Sequence, residues 1–259
     1  MKKLFIYIAI IGTLINALAC IKTNGTTGSS SLNIINAINY SNPIVTNFTP
    51  LNPKGLPGEP LQFYSSANTI SWGNSYESGS YIGITYLSIS QITDTTTTLW
   101  TGEFDLANGS IHTLFFCGDT TSIDTLYTTD IIPYYPSSDS VVGIRFVNLS
   151  KGSNPISINL EGSPSGSEVA ALSYKAITGF KQYPNNSLTI DYLFVIRDAA
   201  TGDSLTQFDF SNSGSSNNGN GLTDPITGNL LTFKNITIAV YGSEINPNIP
   251  LNTMEVDDY

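Results

Sequence analysis

One stretch of this chain occurs twice. Residues 32–48 align without a gap on residues 144–160, at a constant offset of 112 (144 minus 32). Of the 17 aligned positions six are identical: Asn36/Asn148, Ser41/Ser153, Asn42/Asn154, Pro43/Pro155, Ile44/Ile156 and Asn47/Asn159. Chance would give roughly one or two, so the pattern is that of a tandem duplication. Apolar character matches too, as in Ile34/Phe146, Ile35/Val147 and Phe48/Leu160. A period of this length is too long for a solenoid repeat and suits a domain. The chain is therefore expected to hold two copies of one fold, residues 32–136 and 140–259.

Within each copy the pattern is short strands separated by turn signals, with no convincing helical period. Residues 81–89 alternate apolar with small or polar side chains, and residues 99–106 lead through Ala107-Asn108-Gly109-Ser110 into 111–116, a hairpin signature. Residues 126–132 close the first unit, and Pro133-Tyr134-Tyr135-Pro136 reads as a short semi-rigid hinge. In the second unit strands are expected at 169–180, 189–196, 235–242 and 251–256, with a Ser/Asn/Gly-rich surface insertion at 210–228. Val142, Ile144 and Phe146 should face inward, and Gly143 and Arg145 outward. The consecutive pair Phe146-Val147 calls for either a bulge or a strand covered on both faces. Strands at this spacing without helices point to antiparallel sandwiches.

The N-terminus reads as a targeting segment. Lys2 and Lys3 precede an apolar run over residues 4–18, too short for a comfortable membrane span. It ends in Ala17-Leu18-Ala19-Cys20, which resembles the bacterial lipobox, where the Cys is acylated and becomes the first mature residue. The same residues would also serve an ordinary signal peptide cut near Ala19. The lipobox makes 1–19 a lipoprotein signal peptide, Cys20 the lipid attachment site and 20–31 a flexible tether. Cys117, the only other cysteine, then has no intramolecular partner and behaves as a small buried hydrophobe. Ile21 is not the Asp that marks inner-membrane retention in some bacteria, so the outer membrane is expected, on either face.

Three segments carry a family resemblance: Arg145-Phe146-Val147-Asn148 opening a unit, Ala239-Val240-Tyr241-Gly242 as its penultimate strand, and Asp130-Ile131-Ile132-Pro133 as the exit into the next. Together they resemble the domain-of-unknown-function family 4397. The resemblance covers nearly all of the mature chain, although the first unit has Asn33 where the second has Arg145. It implies two tandem immunoglobulin-like antiparallel β-sandwich domains, in an all-β lipoprotein or secreted protein of Bacteroidota-type bacteria. It brings no catalytic or ligand residues.

Charged residues are only 12% of the chain, 20 acidic against 10 basic, and no Lys/Arg cluster follows the first three residues. Nucleic acid is thereby excluded as an expected partner, since binding it needs phosphate-neutralising cations. The one histidine, His112, sits on an alternating strand beside apolar residues and is expected to be structural. No nucleophile elbow, Cys/His metal spacing or phosphate-cradling loop appears. No catalytic residue, cofactor or metal site is expected, because the oxygen-rich segments 198–203 and 217–224 lack the spaced acids of a calcium loop. Two functions fit. One is a non-catalytic cell-envelope lipoprotein, membrane-bound through its anchor, with a structural or adhesive role toward another envelope protein. The other is a glycan-binding accessory protein that stacks sugars on Trp72, Tyr76 and Trp100, with Tyr81 nearby.

Overall fold

A computed structural model describes residues 28–39, 42–48, 69–70, 74–136, 139–185, 192–209 and 234–258, with backbone alone at 69–70, 74–78 and 80–81. Every regular element among them is a strand. The first half carries β1 (Ser29–Asn36), β2 (Ile44–Asn47), β3 (Thr69–Ile70), β4 (Asn74–Tyr81), β5 (Gly83–Gln91), β6 (Asp94–Leu106), β7 (Ile111–Asp119) and β8 (Ser122–Asp130). The second carries β9 (Val141–Asn148), β10 (Ile156–Leu160), β11 (Val169–Leu172), β12 (Lys181–Pro184), β13 (Leu193–Asp198), β14 (Ser204–Asp209), β15 (Asn235–Tyr241) and β16 (Asn252–Asp257).

The two halves share one strand order. Sheet β4-β1-β7-β8 faces β3-β2-β5-β6 in the first, and β12-β9-β15-β16 faces β11-β10-β13-β14 in the second. The fold is thus all-β, two immunoglobulin-like antiparallel β-sandwiches, with one parallel pair in each: β1 on β7 and β9 on β15. The repeated segment supplies equivalent strands, β1 and β2 in one copy and β9 and β10 in the other. Its identical residues serve the same joints. Asn36 Oδ1 accepts from Ile38 N, and Asn148 Oδ1 from Ser150 N, the side-chain turn that ends each opening strand. The carbonyls of Pro43 and Pro155 accept from Ile92 N and Ala199 N at 2.9 Å.

Each sandwich has its own core. Leu32, Ile34, Leu87, Ile89, Leu114 and Phe116 fill the first. Val142, Ile144, Phe146, Phe194, Ile196 and Ile238 fill the second. A third apolar cluster joins the halves: Ile35, Ala37, Phe115 and Cys117 meet Val147, Leu149, Ala239, Tyr241, Met254 and Val256. Consecutive residues such as Ile34-Ile35 and Phe146-Val147 therefore bury on opposite sides of one strand. β9 runs on β15 without a register shift, so the apolar pair marks a sheet covered on both faces and not a bulge.

Two expectations are corrected. The tether was expected to reach residue 31, but Ser29 already pairs with Tyr81 and Ser30 with Ser80, because the antiparallel partner β4 carries β1 back beyond its first β7 pair, Ser31 on Ile111. The expected hinge is docked. Tyr135 is buried, Asn235 Nδ2 donates to Pro133 O at 2.9 Å, and a Cβ on Gly143 would overlap the Tyr135 hydroxyl and Asn235 Oδ1.

Candidate functional site: the seam between the sandwiches

Equivalent positions of the two copies face each other across the seam. Ile35 and Val147 correspond by the repeat offset, as do Ala37 and Leu149, and all four lie in the shared cluster. The two copies thus meet through equivalent strands.

One end of the seam is ionic. Arg145 Nη1 donates to Asp130 Oδ1 at 2.6 Å and Nη2 to Asp258 Oδ1 at 2.8 Å, with all three side chains buried. The two aspartates are equivalent: Asp130 ends β8, the partner of β7, and Asp258 directly follows β16, the partner of β15. So are the threonines that support them: Thr113 Oγ1 donates to Asp130 Oδ2 at 2.6 Å, and Thr237 Oγ1 donates to Asp258 Oδ2. Arg145 also donates from Nε to Thr237 Oγ1 and lies 4.6 Å from the centroid of the Phe180 ring. Its equivalent in the first copy is Asn33, whose Nδ2 reaches Asp257 O at 3.5 Å. One cation thus serves two carboxylates. Burial pushes the Asp258 carboxyl up to about 6, against the downward pull of Arg145 and Thr237.

Further along the seam Cys117 Sγ lies 3.2 Å from the Tyr174 hydroxyl, which donates to Asp124 Oδ2 at 2.9 Å. Lys151 Nζ meets the same Asp124 oxygen at 3.1 Å and also donates to Ser122 O. Burial pushes the Cys117 thiol up to about 11, so it stays protonated and inert, as the sequence suggested.

The far end opens into a cleft of about 190 Å³, lined by Asn39, Asp119, Lys151, Ser243, Asn246 and the isoleucines 245 and 249. Its lining is also paired. Asn39 and Lys151 are equivalent by the repeat offset. Asp119 and Ser243 each follow a positive-φ glycine, Gly118 and Gly242, at the end of β7 and just past β15. Those glycines are required, since a Cβ on Gly118 would meet Ser122 O and one on Gly242 would meet Pro250 O. Asn39 is 6% exposed, and its Oδ1 has no hydrogen-bond partner.

The residues singled out from sequence fall elsewhere. Cys20 and Trp72 lie outside the described residues, and Tyr76 and Tyr81 are placed in β4 by backbone alone. Trp100 is half-buried against the first core, edge-on to Phe116 at 5.0 Å and stacked on Phe104 at 6.0 Å. His112 is held at both ring nitrogens, with Ser110 Oγ 2.7 Å from Nε2 and Thr129 Oγ1 3.1 Å from Nδ1, and it stacks on Tyr127. Burial lowers its pKa, so the ring is neutral at physiological pH. Asp198 Oδ1 is spent on the turn nitrogens of Ala200 and Thr201, and Asn154 Nδ2 donates to its other oxygen. Among the described residues no group of three or more His, Cys, Asp or Glu could hold a metal. Sequence reasoning missed both ends of the seam. The available signal was Arg145, a lone charge between Ile144 and Phe146 in an otherwise apolar strand.

No family model matches the chain, and no curated protein matches it. Among solved structures it is similar to the family 26 carbohydrate-binding module of Eubacterium rectale Amy13K, solved with maltoheptaose, at 10% identity over 89% of this chain and 97% of that one, TM-score 0.24. It is also similar to a candidate cell adhesion protein of Bacteroides uniformis, at 7% identity over 90% and 99%, TM-score 0.25. A third is the fimbrial anchor protein Mfa2 of Porphyromonas gingivalis, at 10% identity over 89% and 100%, TM-score 0.21. Likeness at this level carries no argument, and the fold assignment rests on the strand pairings themselves.

Proposed function

We propose that the chain is a non-catalytic cell-envelope interaction module, anchored through Cys20, in which two sandwich domains, residues 32–136 and 140–259, act as one rigid unit toward a glycan or another envelope protein. The observation that carries this is where the reactive side chains go. His112, Cys117 and Arg145 are each hydrogen-bonded within the described structure and spent on holding it. The cleft at the seam is lined instead by groups suited to recognition. The resemblance to family 4397 belongs to the same proposal: Arg145, Asn148 and Gly242 perform structural tasks here, as expected of a motif that specifies a scaffold.

Two measurements test it. On fractionation of expressing cells, Cys20→Ser should move the protein from the membrane to the soluble fraction, and an unchanged membrane pool would remove the anchor. Binding of the full mature chain to arrayed glycans and to envelope extracts should saturate without turnover. Release of a product from any arrayed ligand would overturn the non-catalytic assignment.

A further inference from the structure

We propose that the seam cleft is a saccharide subsite, taking a single sugar ring through adjacent hydroxyl groups. This rests on the interaction-module proposal above and names its ligand class.

Charge bookkeeping points to a neutral ligand. Lys151 Nζ, the cation in the lining, is directed at Asp124 Oδ2, Ser122 O and Ser122 Oγ, so it offers little to an incoming anion. Its positive charge also opposes a second cation in the same cleft. Asp119 holds three turn donors on Oδ1 alone, Thr121 N, Thr121 Oγ1 and Ser122 N, which leaves Oδ2 out of the turn. Those bonds keep its carboxyl ionised and below the usual range, so it is an acceptor at any physiological pH. Asn39 Oδ1, the unpartnered oxygen, is a second acceptor, and a buried polar atom left unsatisfied calls for a donor. Ser243 Oγ already accepts from Asn246 N, so its hydroxyl proton is turned to donation. Two acceptors and a donor beside apolar Ile245 and Ile249 match the alternating hydroxyl and C–H surface of a pyranose.

Size sets the stoichiometry. At about 190 Å³ the cleft is below the roughly 300–1,000 Å³ of drug-sized pockets and has room for one ring. Because the lining draws Asn39 and Asp119 from the first copy and the remaining residues from the second, neither sandwich holds the subsite alone.

The test is titration calorimetry with saturation-transfer NMR on the full mature chain, using the methyl glycosides of glucose, galactose, mannose and N-acetylglucosamine. At least one should bind with a Kd of roughly millimolar order, as expected of a single ring with few contacts. Asp119→Asn keeps the turn-capping oxygen and should weaken binding about tenfold or more, losing an acceptor to a charged-group hydrogen bond. Ile245→Ala removes an exposed wall without touching the core and should weaken it several-fold. Binding unaltered by both variants would overturn the cleft while leaving the module reading in place, since the ligand would then sit elsewhere. No binding by any of the four, with water alone filling the cleft, would also overturn it. Failure of the module reading would show separately, as no binding to any array or extract.

Discussion

Arg145 stands between two aspartates that the duplication made equivalent, and the first copy contributes Asn33 in place of a second guanidinium. The cluster therefore holds one positive and two negative charges out of water, and Asp258 feels the imbalance. The sign of the pH dependence follows. Its folded pKa of about 6 lies above the ordinary 3.8, so its contribution to stability is full below 3.8 and is lost as pH rises through about 6. Denaturant unfolding should accordingly show the protein gaining stability from pH 7.5 to 5.5, and Asp258→Asn should flatten that gain. Arg145→Ala leaves two buried carboxylates facing each other and should cost about 3–5 kcal/mol at pH 7.5. Part of that loss should return at pH 5.5, where Asp258 takes up a proton. A loss that does not change with pH would mean the two groups are not coupled. At this scale the sequence was only half legible. It placed Arg145 outward, but an outward direction from one sandwich proved to be inward to another.

β9 shows how a strand reads when both of its faces are covered. Phe146 packs against Phe194 at 5.1 Å between ring centroids in its own sandwich, while Val147 beside it belongs to the seam. Phe146→Ala should cost about 3–5 kcal/mol, the usual loss for a buried phenylalanine. Near-ultraviolet circular dichroism and urea melts of the full chain would measure it, and a loss under about 1 kcal/mol would mean that the site collapses around the gap. Strand existence was legible because period-two alternation and turn residues are local; β7 and β15 begin where expected, at Ile111 and Asn235, while β13 is Leu193–Asp198 against an expected 189–196. The partners were not. β1 pairs in parallel with β7 across a long stretch of chain, and alternation fixes which face a residue takes, not which neighbour it meets. The start of β1 at Ser29 escaped notice for the same reason, since Ser29 and Ser30 become strand only because β4 is there to receive them.

At the scale of the molecule the repeat foretold two copies, and composition left open what lies between them. The seam residues Ile35, Phe115 and Ala239 look like any core residue in sequence, so no pattern distinguishes a buried interface from a buried interior. Produced separately, residues 28–136, which keep the whole of β1, and residues 140–259 should each fold with a lower midpoint than the intact chain. Mixed, they should re-associate, which calorimetry and analytical ultracentrifugation can follow. Halves that ignore each other would remove the seam as a stabilising contact, and halves that do not fold would remove the two-domain proposal. The docked linker adds one consequence. Covalent connection by Pro133 to Pro136 presents each face to its counterpart at an effective concentration of roughly millimolar order. The seam is thus an intramolecular dimer, indifferent to dilution, whereas the same contacts between separate chains would loosen as the molecules became sparse. However sparse the molecule becomes, both halves of its paired surface stay together.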